Sequence, residues 1–169
     1  MTIEPVRLLG DPVLRTACDP VTRFGDATGR LVDDLLENVL LPGRAGLAAP
    51  QIGVSLAAFS YNVDGQHGCI LNPVIAETSG EHDDLEACLS IPGLTVCCLR
   101  AMRTVVTGVD RHGDPITVPG TGELSRCLQH ETDHLGGVLF IDRLTGQRRK
   151  DALGQLRRAA PRPLSRAAG

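Results

Sequence analysis

No stretch of the chain approaches the ~20 consecutive apolar residues of a membrane-spanning helix, and its start, MTIEPVRLLGD, lacks the charged segment followed by an apolar one that a secretory signal needs. The expected location is the cytoplasm, with no membrane partner. Charge of one sign is nowhere concentrated. Lysine and arginine number 17 against 20 aspartates and glutamates, a formal net charge of −3, so no specific nucleic acid is expected as a partner. Internal repeats are absent as well. The one locally basic stretch, from Arg148 to Arg166, reads as a surface segment with a frayed end.

What is present fits a single globular unit. The 169 residues are 42% hydrophobic and 22% charged, enough for a proper core. Six cysteines (18, 69, 88, 97, 98 and 127) in a reducing compartment read as free core thiols or metal ligands. Residues 27–41 place Leu31, Leu35 and Val39 on one stripe, with Asp26 as a possible N-cap and Pro42-Gly43 as a stop. Short apolar or alternating runs begin at 54, 69, 94, 103 and 115, with turn residues such as Asp64-Gly65 and His112-Gly113 between them. They lie too close together for helical crossovers. The expected fold class is therefore α+β, with mainly antiparallel sheets around a central helix. A catalytic domain over residues 1–145 and a basic tail over 146–169, helical or disordered, complete the outline.

The central helix is expected over roughly residues 122–135, capped by Thr121 and ended by Gly136-Gly137. It contains QHETDH. At about 100° per residue, Cys127, His130, Glu131 and His134 share one face beside Leu124, Leu128 and Leu135, with Ser125, Gln129, Thr132 and Asp133 on the far side. Histidines four apart on a helix can bind one metal ion, and the glutamate between them can take a proton from water. Hydrolysis is the natural outcome; two histidines sharing a face by accident is the bland one. Three protein ligands are usual at a catalytic site, so one is missing. His67 and His112 adjoin turn glycines, and His82 falls in the acidic loop SGEHDD, so all three are expected in solvent. Among the thiols, Cys88 stands out because LEACLSIPG interrupts an apolar region, whereas Cys97, Cys98 and Cys127 are better explained by packing.

GLAAPQIG at 46–53, EACLS at 86–90 and QHETDH at 129–134, in this order, resemble the three motifs of the peptide deformylase family. The resemblance spans roughly residues 5–145, with IPG and Arg100 after the second motif and LGGVLFIDRL after the third. It implies that Cys88, His130 and His134 bind one divalent metal, with Fe2+ the expected native ion and Zn2+, Ni2+ or Co2+ able to replace it. It further implies Glu131 as the proton carrier, with the Gln51 amide and the Leu89 backbone N–H stabilising an oxyanion. The substrate would be an N-formylmethionyl peptide, the product formate and a free amine. Arg44, Ala45, Gly46, Glu86, Arg126 and Cys127 are the implied substrate contacts, Arg126 through its apolar stem. A monomer is implied, and the ribosome is a candidate second partner.

Two positions depart from the family pattern. Ala87 replaces the usual glycine before the metal cysteine, where a required positive φ would cost an alanine about 1 kcal/mol. Arg44-Ala45 changes charge and volume at the pocket rim. These departures motivate an alternative reading, a related hydrolase acting on another formamide or small amide. A metal-binding module without catalysis is the third.

Overall fold

Apolar residues three and four apart in DATGRLVDDLLENV wind Asp26–Val39 into a helix, α1, that buries Leu31, Val32, Leu35 and Val39. It is the first long element of the computed structural model, which describes residues 4–159. Gly25 takes the N-cap position, and Asp26, expected as the cap, is instead the first helical residue, where its charge complements the helix dipole.

After α1 the chain enters a five-stranded antiparallel sheet. Its strands are β1 (Gly46–Ala48), β2 (Ala58–Val63) and β3 (Gln66–Ser79), followed later by β6 and β7 below. The β2–β3 turn is Asp64-Gly65, both at positive φ (51° and 79°), the twist that a two-residue hairpin needs. Next comes a separate two-stranded ribbon, β4 (His82–Cys88) with β5 (Ile91–Arg100). Then β6 (Arg103–Val109) and β7 (Pro115–Thr121) return to the first sheet, whose order is β1-β2-β3-β6-β7. Every pair of neighbouring strands is antiparallel, as the short connections require.

Strand β4 runs through residues expected from sequence to lie in the acidic loop SGEHDD and in the interrupting stretch LEACLSIPG. Two of its acidic residues, Asp83 and Asp84, are tolerated because they are exposed near the start of the strand. Leu85 and Ala87 are exposed on one face, while Glu86 and Cys88 are buried on the other.

The expected central helix is α2, Glu123–Leu135. Thr121 ends β7 and does not cap it. Gly122 occupies the N-cap at φ 55°, ψ −123°, a conformation that disfavours any residue with a Cβ. Leu124, Cys127, Leu128 and Leu135 join Phe59, Val63, Ile70 and Val106 in one core cluster. The far side of α2, though polar, is largely buried as well. Ser125 bonds Thr104 and Ala101, Gln129 bonds the backbone of Ala101, and Asp133 bonds Arg100 and Arg143, so these three buried side chains are hydrogen-bonded.

A short helix, α3 (Phe140–Arg143), and a longer one, α4 (Gly146–Ala159), follow. The start of the basic stretch is therefore neither frayed nor loose. Ala152 is fully buried in a cluster with Leu14, Cys98, Leu139 and Leu144, and Arg148 pairs with Asp83 at 2.6 Å. Residues 160–169 lie outside the described residues. All six cysteines are free, and among the described residues no helix is long and apolar enough to cross a membrane.

Candidate active site

Three donor atoms converge between the β4–β5 ribbon and α2. Cys88 is the last residue of β4, where the register slips from Ala87↔Thr95 to Cys88↔Ile91 and turns its side chain inward. His130 and His134 project from successive turns of α2, with ring centroids 5.0 Å apart. Cys88 Sγ lies 3.3 Å from His134 Nε2, and one ligand atom from each of the three residues falls within 4.8 Å of the others. One sulfur and two imidazole nitrogens, all buried, are a donor set suited to Fe2+, Zn2+, Ni2+ or Co2+.

His130 is oriented from behind. Its Nδ1 meets Glu86 Oε1 at 2.6 Å, which leaves Nε2 for the site. Glu86 accepts from Arg100 at 2.6 and 2.9 Å and from Arg126 at 3.0 Å. Burial alone would raise this carboxyl, but Arg100 and His130 hold it far below the usual carboxylate range. Burial works against protonation of His130 too, yet bonding to Cys88 and Glu86 raises it, so an ion entering there displaces a proton. His134 is lowered by burial and by His130, which keeps it in the neutral form that ligates.

Glu131 is the second chemical group. Its Oε2 is buried without a hydrogen-bond partner among the described residues, and burial pushes its carboxyl up to about 7. The backbone of β1 comes very close to it. A Cβ added at Gly46 would lie 2.7 Å from Glu131 Cγ and Cδ, nearer than real side chains approach, so glycine is needed there. Gly46→Ala should displace the carboxylate and lower kcat at least tenfold, about 1.4 kcal/mol, with metal content unchanged by elemental analysis.

Gln51 is fully placed by its neighbours. Its Oε1 accepts from Ala48 N at 2.8 Å, which fixes the amide orientation and turns Nε2 toward Ser90 Oγ at 3.1 Å and Cys88 Sγ at 3.7 Å. Ser90 had no role in the sequence reading. It is buried, and its place two residues after Cys88 was the only available signal.

These groups open onto a cleft of about 380 Å³ whose lining includes Ala45, Gly46, Glu86, Leu89, Arg126 and Cys127, all expected from sequence. Arg44 is not part of it. Its guanidinium turns back to the carbonyl of Asn38 at 3.2 Å, at the end of α1. Nor is Ala87 strained, since Asp64 and Asn72 are the described non-glycine residues at positive φ. Both expected departures thus leave the cleft intact. His67 and His112 are exposed as expected, whereas His82 is half-buried in β4, its Nε2 3.6 Å from Asp84 and 3.8 Å from Glu123. A larger hollow of about 650 Å³, beside Glu77, Arg103 and Pro119, lacks any comparable donor set.

Comparison with known proteins shows the family of the chain and its fold. The family model described as polypeptide deformylase matches residues 3–150. A peptide deformylase from a Parafrankia species is 51% identical, covering 94% of this chain and 88% of its own. One from Acidothermus cellulolyticus is 48% identical, with the same coverage of 94% and 88%. Among solved structures, the peptide deformylase of Thermus thermophilus superposes with a TM-score of 0.86 at 39% identity, over 92% of this chain and 94% of that one. The Synechococcus elongatus peptide deformylase in complex with actinonin gives 0.83 at 33% identity, over 90% and 85%.

Proposed function

The chain belongs to the polypeptide deformylase family, and from that premise we propose how its own residues carry out the reaction, removal of the N-formyl group from the amino terminus of a formylmethionyl peptide. The observation that carries the reading is the convergence of Cys88, His130 and His134 beside a buried, unpartnered Glu131. The three would hold one dication, Fe2+ as the native ion, which when bound would supply Lewis-acid polarisation and lower the pKa of water toward neutral.

Every other step belongs to side chains and backbone. Glu131 Oε2, which no protein donor occupies, holds the proton taken from the attacking water. The water oxygen bonds to the formyl carbon, and the carbonyl electrons move onto its oxygen. Gln51 Nε2 and the Leu89 N–H donate to that oxyanion. Because Ala48 and Ser90 already hold the Gln51 amide, it needs no reorganisation as the charge develops. The carbon–nitrogen bond then breaks. Glu131 passes its proton to the departing amine, leaving formate and a free N-terminus.

Strand β1 is the outer strand of its sheet, and an extended peptide can pair along its free edge at Gly46, passing beside Ala45. The first side chain then enters the cleft beside Cys127 and the stem of Arg126. The same reading has the enzyme act as a cytoplasmic monomer on chains leaving the ribosome. The alternative, a hydrolase for another formamide, loses its motivation because Arg44 faces α1 and Ala87 is unstrained.

The test is release of formate from formyl-Met-Ala-Ser by anaerobically purified protein of known metal content. Turnover in proportion to one bound Fe2+ is expected, with loss on chelation and recovery on adding Ni2+ or Co2+. Metal-loaded protein without turnover would overturn the reading.

A further inference from the structure

We propose that Arg126 is a positioning residue that acts on the metal ligands through Glu86, setting how much negative charge stands behind His130; the inference rests on the ligand set proposed above. Five side chains form a chain of alternating sign. Arg126 Nη1 donates to Glu86 at 3.0 Å, Arg100 donates to Glu86 at 2.6 and 2.9 Å and to Asp133 at 2.7 Å, and Arg143 donates to Asp133 from its other side. The first four are deeply buried, with side-chain exposures of 5%, 2%, 4% and 8% in the order Arg126, Glu86, Arg100, Asp133. Arg143 is 51% exposed and its charge is screened by solvent.

The buried part is therefore neutral only while Arg126 belongs to it. Without that guanidinium, two carboxylates would face one cation, and the excess negative charge would sit at Glu86, whose Oε1 meets His130 Nδ1 at 2.6 Å. A more negative carboxylate makes the imidazole a stronger donor and attracts a dication more strongly. Arg126 thus weakens the hold on the metal and leaves the ion more electrophilic.

Sequence reasoning placed the stem of this arginine in the cleft wall; its head has a different task. Nη1 also donates to the Cys98 carbonyl at 2.9 Å, and Nη2 to the His82 carbonyl at 3.3 Å, so the guanidinium points into the protein. The nearest acid on its outer side, Glu123, is 3.5 Å from Nε but 55% exposed, where water screens the pair.

The experiment is equilibrium Co2+ binding in competition with a chelator, alongside the visible Co2+ absorption, for wild type, Arg126→Gln, Arg126→Met and Arg126→Lys. Both neutral variants should bind Co2+ roughly tenfold more tightly with a shifted absorption band, and the lysine variant should match wild type within about twofold. A purely structural role predicts the opposite sign, weaker binding in all three. Unchanged or weaker affinity in the neutral variants sinks the inference. So does their failure to fold, because Glu86 must remain paired with Arg100 when Arg126 is gone. An error in the ligand set shows itself separately, as wild-type protein that takes up no stoichiometric Co2+.

Discussion

Glu131→Gln is expected to lower turnover by about 10³-fold or more while making the metal-free protein more stable at pH 8. The first effect follows from removing the group proposed to move a proton between water and the departing amine, a contribution of roughly 10²–10⁴. The second follows from burial. Folding raises this carboxyl from 4.5 to about 7, so between those values the folded protein binds more protons than the unfolded chain. Stability then falls as pH rises through that window, and above it the full penalty is present, on the order of 3 kcal/mol. A neutral amide of the same shape escapes it. Thermal unfolding of both metal-free proteins from pH 4 to 9 should give curves that coincide near pH 4 and separate toward pH 8. Curves that stay together at pH 8 would show that the carboxyl is not desolvated as described.

Glu86→Ala is expected to be the most damaging change to the fold. It removes the acceptor shared by Arg100, Arg126 and His130, leaving Arg126 buried without a counter-charge. Breaking one side of a buried ion pair costs about 3–5 kcal/mol. At roughly 2–4 °C per kcal/mol for a chain of this size, the melting temperature should fall by on the order of 10 °C. His130 loses its orienting carboxylate too, which should weaken metal binding about 10–100-fold. Calorimetry and a metal titration measure the two effects separately. A variant with a wild-type melting temperature would mean the two arginines find other partners.

The parts of this protein that were legible in sequence are those with a local rule. The i, i+4 spacing of His130 and His134 fixes their common face on any helix, and Asp64-Gly65 names its own turn. The antiparallel sheets followed from the shortness of the connections. Strand β4 was missed because only half of an alternating pattern is visible in HDDLEAC: the buried face contributes a charged Glu86 and a Cys88, neither of which reads as core. The pairing of Glu86 with two arginines is a tertiary fact with no sequence spacing behind it. Cys88 stood out among the thiols by its polar surroundings, but its role as a ligand was implied only by the family's motifs, since no helical or strand period links it to α2. Arg44 turned out to face α1 because the Asn38 carbonyl in the last turn of that helix lies within reach of its guanidinium at 3.2 Å, a preference set in three dimensions.

The separation of the two sheets has a mechanical consequence. Cys88 is carried by a ribbon that shares no backbone hydrogen bond with the five-stranded sheet, whereas both histidines belong to the helix buried against that sheet. An ion held by all three would thus be a rivet between the ribbon and the helix, and taking it out would remove a cross-link as well as a reagent. The ribbon should then be the first region to breathe, with its amides exchanging hydrogen sooner than those of α2.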